Sequence, residues 1–185
     1  MSIFICININ EKIPLEGIHT MTLLELYEST KKFSMRRADY AQNSNWVLRN
    51  VVPFKGTKTL LIQADCNGYT EKATHVVNIQ FEGLKYVDEV PKNAEYKTLT
   101  YKDEEYHFSY PTVEDTNVKI RCSCSDFAYR AAYANWKAKV LFGSKPKKYI
   151  RKTKTRPPVN PEEIPIMCKH IYQAISLLKT EDLLK

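Results

Sequence analysis

The chain has 185 residues, of which 43% are hydrophobic and 26% charged, and these proportions are typical of a globular protein and exclude a disordered one. The net charge is +7 at neutral pH, and no run of residues approaches the roughly 20 apolar positions of a membrane span. The first residues lack the basic region and the cleavage site of a secretion signal, so we expect a cytoplasmic protein whose cysteines are not paired in disulfides.

The N-terminal part of the chain is predicted to be mostly β. Residues 2–10 have the composition of a first strand, and residues 20–33 place leucines at helical spacing after a threonine that can cap the helix. Two β-hairpins are then predicted from runs rich in β-branched residues. The first hairpin turns near the Asn67-Gly68 pair, and the second turns at residues 102–104.

The C-terminal part of the chain changes character. Residues 118–124 predict one more strand, and Ser125 is a suitable cap for a helix whose apolar face runs on to Leu141. Gly143 and the prolines after it end that helix and keep the chain extended. A last helix is predicted at roughly 170–184, where apolar residues again recur at helical spacing.

Together these elements predict an α+β fold, in which an antiparallel sheet of hairpins packs with an N-terminal helix and two C-terminal helices. We expect a mostly β body at residues 1–117 and a C-terminal module at residues 118–185. The two parts either share one core or form one each, because the length of the chain suffices for both arrangements.

The excess positive charge lies in residues 143–160, GSKPKKYIRKTKTRPPVN, which we call the basic segment. It holds seven of the 28 basic residues and none of the 21 acidic ones, so the rest of the chain is electrically balanced. A basic loop on a neutral body favours local contact with nucleic-acid phosphates or an acidic protein surface, and a solvated loop is the alternative. The candidate contact residues are Lys145, Lys147, Lys148, Tyr149, Arg151, Lys152, Lys154 and Arg156.

Two short motifs, C-x-C at residues 122–124 and C-x-H at residues 168–170, predict a metal site. Alternate residues of a strand share a face, so Cys122 and Cys124 point the same way, with Cα atoms about 6.6 Å apart. Thiolates on one zinc ion lie about 3.8 Å apart, and side chains that converge at a strand end can reach this distance. Residues two apart within a helix face opposite sides, so we expect Cys168 at or before the helix cap and His170 in the first turn.

A metal is not the only explanation for these residues. Free cysteines are often buried packing residues, and a pair of cysteines can serve redox chemistry, so both alternatives stay open. Four residues of zinc-binding types, placed two by two at the junctions of elements, favour a metal. One histidine ligand favours zinc over an iron–sulfur cluster, and three cysteines with one histidine leave no open coordination position. We therefore expect a structural Zn²⁺ ion that staples the last helix to the C-x-C strand.

The pattern Cys122-x-Cys124 … Cys168-x-His170 resembles the SWIM-type zinc finger, C-x-C … C-x-H, over about residues 118–178. SWIM modules are credited with binding nucleic acids or proteins, so the resemblance implies a zinc-binding module of that kind. The sequences CSCSDF and CKH and the proline-rich stretch between them are also similar to small virion structural proteins of tailed bacteriophages. That similarity implies incorporation into a virus particle and assigns no individual residue.

The remaining cysteines and histidines are predicted to be packing residues or surface residues. They are Cys6, Cys66, His19, His75 and His107. The acidic run at residues 103–105 lies at a predicted turn, where adjacent carboxylates are usually solvated. The sequence contains no fingerprint of a serine hydrolase, a P-loop, a zinc protease or a dinucleotide-binding fold. We therefore expect no enzymatic activity and no small-molecule substrate.

Two functions are expected from these features. The first is an interaction protein whose zinc-stapled C-terminal part docks on partner subunits, as a connector, neck or other component of a tailed-phage particle. Many aromatic residues and balanced charge outside the basic segment favour it. The second is a SWIM-like protein that binds nucleic acid without sequence preference through residues 145–156, since lysines suit phosphate contact and two arginines are too few to read bases. We expect no membrane contact in either case.

Overall fold

The computed structural model describes residues 20–34, 44–68, 73–152, 155, 157 and 159–185. The strand predicted at residues 2–10 lies outside these residues, as do Cys6, His19, Lys154 and Arg156. The helices of the described chain are α1 (Leu23–Phe33), α2 (Ala132–Lys137), which follows a π-helical turn at Phe127–Ala131, and α3 (Lys169–Thr180). The strands are β1 (Ser44–Phe54), β2 (Thr59–Gly68), β3 (Thr74–Glu82), β4 (Tyr86–Val87), β5 (Tyr96–Tyr101), β6 (Glu104–Ser109) and β7 (Asn117–Cys122).

Four strands form the larger antiparallel sheet, in the order β1-β2-β3-β7. Strands β2 and β3 form the first predicted hairpin, and β3 pairs with β7 so that Val77 stands opposite Cys122. Along β7, Val118, Ile120 and Cys122 are buried, while the residues between them are only partly buried. One face of the sheet therefore covers the core, and the end of β7 carries a cysteine into it.

The smaller sheet has three antiparallel strands in the order β4-β6-β5. Strands β5 and β6 form the second predicted hairpin, which turns at Lys102 and Asp103 with positive φ angles of 52° and 64°. Both residues take the left-handed conformation that a two-residue hairpin turn favours. Phe108 of β6 is fully buried in the core, and its ring packs against that of Tyr86 on β4.

Helix α1 begins at a capping box, which confirms the predicted helix with a threonine cap. The Thr22 hydroxyl accepts a hydrogen bond from the Glu25 N–H at 3.2 Å, and the Glu25 carboxylate accepts one from the Thr22 N–H at 2.8 Å. These bonds satisfy donors that have no partner within the helix. Leu23, Leu26 and Thr30 are buried, so one stripe of the helix faces the core.

The helix after β7 is shorter than its sequence pattern predicts. It ends at Lys137 and does not continue to Leu141. Lys139 has a φ of 60°, a left-handed conformation that turns the chain back. The backbone N–H and C=O of Ile120 both bond to residues 140–142, which form a short parallel bridge with β7. The apolar residues near Leu141 are therefore buried against a strand, which explains why they extend the pattern of a helix that has already ended.

The hydrophobic core is a cluster of buried side chains from both sheets and all three helices, and it joins residues before and after position 118. Helix α3 contacts β1, β3 and β7. It confirms the predicted last helix but ends at Thr180, earlier than expected. Leu183 and Leu184 stay buried because the Lys185 backbone hydrogen-bonds to residues 111–113. No helix in the described part of the chain combines the length and the hydrophobicity of a bilayer-spanning segment.

Candidate metal centre

The structure brings together the four residues predicted as metal ligands. Cys122 is the last residue of β7, Cys124 lies two residues further on, and Cys168 and His170 lie at the N-terminus of α3. Their candidate ligand atoms, three Sγ atoms and one imidazole nitrogen, all lie within 4.8 Å of one another. All four side chains are buried, so the two motifs meet at one point inside the protein.

The distances suit a site for one small ion. The Sγ of Cys122 lies 3.7 Å from the Nδ1 of His170. A sulfur and a nitrogen bound tetrahedrally to one zinc ion lie about 3.6 Å apart, given bond lengths of about 2.3 Å and 2.0–2.1 Å. Small side-chain adjustments would therefore let the four groups hold one metal ion, and together they would fill a tetrahedral coordination shell.

Pairing at the end of the larger sheet explains how two cysteines in a C-x-C motif reach the same site. The N–H of Ser123 donates to the Val76 carbonyl at 3.0 Å, and its hydroxyl accepts from the Val76 N–H at 2.9 Å. Ser123 is exposed, whereas Cys122 and Cys124 on either side of it are buried. The alternation of an extended chain therefore places both thiols on the core side. The Cys124 N–H also donates to the Cys122 Sγ at 3.4 Å.

Two of the cysteines occupy helix caps, and Cys124 takes the place where the sequence predicted Ser125. The Cys124 carbonyl accepts from the Ala128 N–H at 3.0 Å, and its Sγ accepts from the Phe127 N–H at 3.3 Å. A sulfur thus fills the role that a serine hydroxyl has in most caps. Cys168 is the N-cap of α3, with the extended backbone of a capping residue. Negative charge is stabilised at helix N-termini, so the helix dipole favours a thiolate at both positions, although at Cys168 burial acts in the opposite direction.

Hydrogen bonds among the three thiols shift their pKa values in different directions. The pKa of Cys124 lies well below its usual value, first because the Cys122 thiol hydrogen-bonds to it and then because the Cys168 thiol does. The pKa of Cys122 is raised, first by its hydrogen bond with Cys124. The pKa of Cys168 is raised, first by its complete burial. A bound divalent cation would hold all three as thiolates, because metal ligation requires the deprotonated sulfur.

Two buried polar side chains hold the segment that leads into α3. The side-chain amide of Asn135 on α2 donates to the Ile166 carbonyl at 3.0 Å, and its oxygen accepts from the Ile166 N–H at 2.9 Å. The Thr30 hydroxyl of α1 accepts from the Met167 N–H at 2.9 Å. These bonds satisfy backbone groups that lie outside any helix or strand. They fix the residues immediately before Cys168, and nothing in the sequence singles out either side chain.

His75, which the sequence analysis treated as a packing or surface residue, lies against the site. The ring centroids of His75 and His170 are 4.6 Å apart, with an interplanar angle of 37°. Val77 of β3 stands opposite Cys122, so the strand register carries His75 past the end of β7 toward the histidine ligand. Its place depends on this register, and no motif in the sequence marks it.

Two lysines of the basic segment interact with other side chains of the protein. The Lys145 Nζ lies 4.1 Å from the centre of the Trp136 ring, and the Lys148 Nζ lies 5.0 Å from the centre of the Tyr133 ring. Such a cation is attracted by the negative face of the ring. Lys148 also forms an ion pair with Glu163. These contacts fasten the basic segment along α2.

The other described cations of the basic segment lie at the surface. Lys147 and Lys152 are exposed and Arg151 is partly buried. These three form no salt bridge with any other residue of the described ranges. Next to them, the ring of Tyr149 lies 4.6 Å from that of Tyr129 in the π-helical turn. The predicted contact residues therefore divide into some that fasten the segment and some that face solvent.

Comparison with models of known families, with curated proteins and with solved structures finds no significant match to this chain. The fold and the site therefore define its class by themselves. It is an α+β protein with two antiparallel sheets and a buried C-x-C … C-x-H cluster that could bind a metal ion. The cluster joins two chain segments that are separated by the 43 residues 125–167, so a metal there would act as a cross-link within the fold.

Proposed function

We propose that the protein is a non-enzymatic interaction protein in which a structural zinc ion fixes the C-terminal part for docking on partner subunits. The observation that carries this proposal is the closed ligand set, because four buried side chains of the chain itself supply all the donors. A catalytic zinc keeps one position for water or substrate, whereas three thiolates and one imidazole fill all four. The ion would therefore stabilise and shape the protein without entering a reaction.

Zinc is the ion that fits these donors best. Calcium and magnesium prefer oxygen ligands, and an iron–sulfur cluster is usually held by four cysteines. Thiolates together with an imidazole suit Zn²⁺, and tetrahedral geometry suits a site closed by protein. The order of the ligands in the SWIM-type zinc finger supports the same assignment.

The surroundings of the site support the docking role. Tyr129, Tyr149 and Ile150 are exposed by 56%, 46% and 78%, and all three line one surface cleft. Large apolar groups gathered on one surface commonly mark interaction sites. The similarity of CSCSDF and CKH to virion structural proteins supports a tailed-phage particle as the assembly. The protein would then be found in the cytoplasm before it enters that particle.

A second candidate function is binding of nucleic acid without sequence preference. Lys147, Arg151 and Lys152 are the observation that favours it, because they face solvent without an acidic partner in the described ranges. Lysine contacts phosphate as a point charge and fixes position without reading bases. We rank this function second because Lys145 and Lys148 are already engaged with rings and with Glu163.

Fractionation of the native chain from its source cells on a density gradient tests the docking role. The gradient is run at low salt and at about 0.5 M NaCl, where contacts between exposed charges are screened. We expect the chain to migrate with a particle in both conditions, together with zinc. Migration as a small free protein in both conditions would reject docking. Migration with a particle only at low salt, abolished by nuclease, would support the second candidate.

Substitution of Lys147, Arg151 and Lys152 by alanine tests the second candidate. If the segment binds phosphates, this variant loses affinity for a single-stranded oligonucleotide, and the salt dependence of log K falls by about 2 in slope. Alanine substitution of Lys31, Lys32 and Lys179, which are exposed on other elements, is the matched control. Equal affinity of both variants and the wild-type chain would reject nucleic-acid binding through this segment.

A further inference from the structure

A cleft lies between the outer face of the larger sheet and the basic segment. Its volume is about 830 Å³, which falls within the range of clefts that bind ligands. The sheet contributes Val76 and Asn78 to the wall, and the basic segment contributes Tyr149 and Ile150. Ile150 is 78% exposed, so its apolar side chain is open to a partner at this place.

The charge of this cleft is entirely positive. Its lining includes Arg121, Lys147, Lys148 and Lys152, and no aspartate or glutamate among the residues that the structure describes. The Arg121 guanidinium donates hydrogen bonds to two backbone carbonyls, and Lys148 forms an ion pair with Glu163, which lies outside the cleft. Lys147 and Lys152 therefore have no acidic partner within the described ranges. An apolar cleft with uncompensated cations attracts an anionic ligand.

The cleft continues beyond the pair formed by Tyr129 and Tyr149. A second cleft, of about 560 Å³, shares both tyrosines and Ile150 with the first, and Arg151 lines it as well. Glu163 is the acidic residue among its described lining, and two lysines already pair with it. The two clefts thus adjoin at the tyrosine pair, and together we call them the groove; a ligand that spans both would be an extended polymer rather than a compact small molecule.

A polypeptide fits this groove better than a nucleic-acid strand. Base stacking needs open aromatic faces, but Lys148 lies over the ring of Tyr133, which lines the second cleft. Tyr129 and Tyr149 pack against each other, with ring centroids 4.6 Å apart. The side chain of Ile150 can be covered by an apolar side chain of a peptide, whereas a sugar–phosphate backbone offers no equivalent group.

We propose that this groove binds an acidic segment of a partner protein that carries at least one large apolar side chain. The apolar side chain packs on Ile150 beside the pair of tyrosines, and the carboxylates face Lys147, Arg151 and Lys152. The inference rests on the proposed function, since it names the chemistry of the partner on which the C-terminal part docks. Charge complementarity and the exposed apolar anchor together select this occupant.

Binding of probe peptides to the full zinc-loaded chain tests the proposal. The probe is a short fluorescent peptide of glutamates interspersed with leucines, and its partner replaces every glutamate by glutamine. We expect saturable binding of the acidic peptide and at least about tenfold weaker binding of the neutral one. Oligothymidine of similar length is the third probe and is expected to bind more weakly than the acidic peptide. Equal binding of the two peptides, no binding of either, or tighter binding of oligothymidine would overturn the proposal.

Variants locate the binding to the groove. Ile150→Asp removes the apolar anchor, and the double variant Lys147→Glu, Lys152→Glu reverses the charge; each should lower the affinity about tenfold or more. The matched controls are Val90→Asp and the double variant Lys31→Glu, Lys179→Glu, which make the same changes at exposed positions outside the groove. Circular dichroism and zinc content verify that each variant is folded. Groove and control variants of equal affinity would overturn the proposal.

This proposal and the proposed function fail in different ways. If the groove variants migrate with the particle as well as the wild-type chain does, the docking role stands and the groove is not the docking surface. If the wild-type chain binds the acidic probe but migrates with no particle, the groove is supported and the role in an assembly is rejected. The density gradient and the probe titration therefore report on the two ideas separately.

Discussion

The Nδ1 atom of His170 lies 3.7 Å from the Sγ atom of Cys122, although the two residues are 48 positions apart in the chain. The contact ties the first turn of α3 to the last residue of β7. Because α2 and the whole basic segment lie between these two positions, one buried cluster determines where that part of the chain leaves the core and where it returns.

We expect the purified chain to contain one zinc ion and the Cys168→Ser variant to contain little or none. The variant replaces a thiolate by a hydroxyl, which is a poor ligand for zinc. Elemental analysis measures the ratio of metal to protein. Cys66→Ser is the matched control, because Cys66 is also a fully buried cysteine but is not part of the cluster. Equal zinc content in the two variants would contradict the assignment.

Removal of the metal by a chelator should loosen α3 and the basic segment more than the β5–β6 hairpin. The cluster lies at the N-terminus of α3, whereas none of its four residues lies on the hairpin. Hydrogen exchange measures this as a loss of amide protection in residues 168–180 with little change in residues 96–109. The control is the same chelator already saturated with zinc. Equal loss of protection in both regions would show that the ion is needed for the whole fold.

Asn135→Ala is expected to lower the free energy of unfolding by about 2–4 kcal/mol, because it leaves two buried backbone groups of Ile166 without their partner. Denaturant unfolding measures the change. Asn50→Ala is the matched control, since the hydrogen bond of Asn50 to Gln63 is exposed, and it should change the stability by less than about 0.5 kcal/mol. Similar losses in the two variants would mean that Asn135 is not needed to hold the segment before Cys168.

Lys139→Gly is expected to raise the free energy of unfolding by about 0.5–1 kcal/mol. Lys139 is exposed and has a φ of 60°, which is strained for a residue with a Cβ atom and ordinary for glycine. The same substitution two residues earlier, Lys137→Gly, weakens the last turn of α2 and removes the ion pair of Lys137 with Glu163, so it should lower the stability by about 1 kcal/mol. A loss of stability at both positions would show that the left-handed turn after α2 does not form.

The stability of the protein should fall as the pH rises from about 10 toward 12, because burial raises the pKa of Tyr86 to about 12. A raised pKa means that the folded state favours the protonated hydroxyl, so this contribution is complete below the unfolded pKa of about 10 and is lost as the pH approaches 12. The Tyr86 hydroxyl donates a hydrogen bond to the Thr59 carbonyl at 2.7 Å, and this bond also requires that the hydroxyl keep its proton. Denaturant unfolding across this pH range measures the slope.

Tyr86→Phe should remove most of this slope, whereas Tyr149→Phe, at an exposed ring, should leave it in place. A second readout is the absorbance of ionised tyrosine, whose last step should disappear in the Tyr86→Phe variant. An unchanged last step would assign the high pKa to another tyrosine.

The ligand set could be predicted from the sequence because simple rules of local geometry constrain it. Alternation along a strand places Cys122 and Cys124 on one face, and the opposite faces of a helix require Cys168 to lie at the cap when His170 lies in the first turn. The structure has both arrangements. Each rule acts over two residues, so it can be applied without knowledge of the rest of the fold.

The side chains that hold the metal site in place could not be predicted from the sequence, because their roles depend on contacts between segments that are distant in the chain. Asn135 appears in the sequence as an ordinary polar residue of a helix, and its role arises from Ile166, 31 positions later. His75 reaches His170 only through the register of β3 against β7. Leu141 continues a helical pattern although it lies beside a strand, because burial against either kind of element selects the same apolar residue.

Arg121 donates to the carbonyls of Phe142 and Ser144, at the start of the basic segment, and Asn135 holds Ile166 near the other end of the excursion. Neither anchor involves residues 149–159, and Lys145, Lys148 and Asn160, which tie the segment to α2 and to Ile164, lie outside that stretch. Residues 149–159 could therefore be exchanged or lengthened while the frame is kept, much as antibodies vary their loops. A sequence inserted there would leave the C-x-C and C-x-H motifs in their present positions. This stretch is therefore a suitable place to introduce a binding sequence for a different partner.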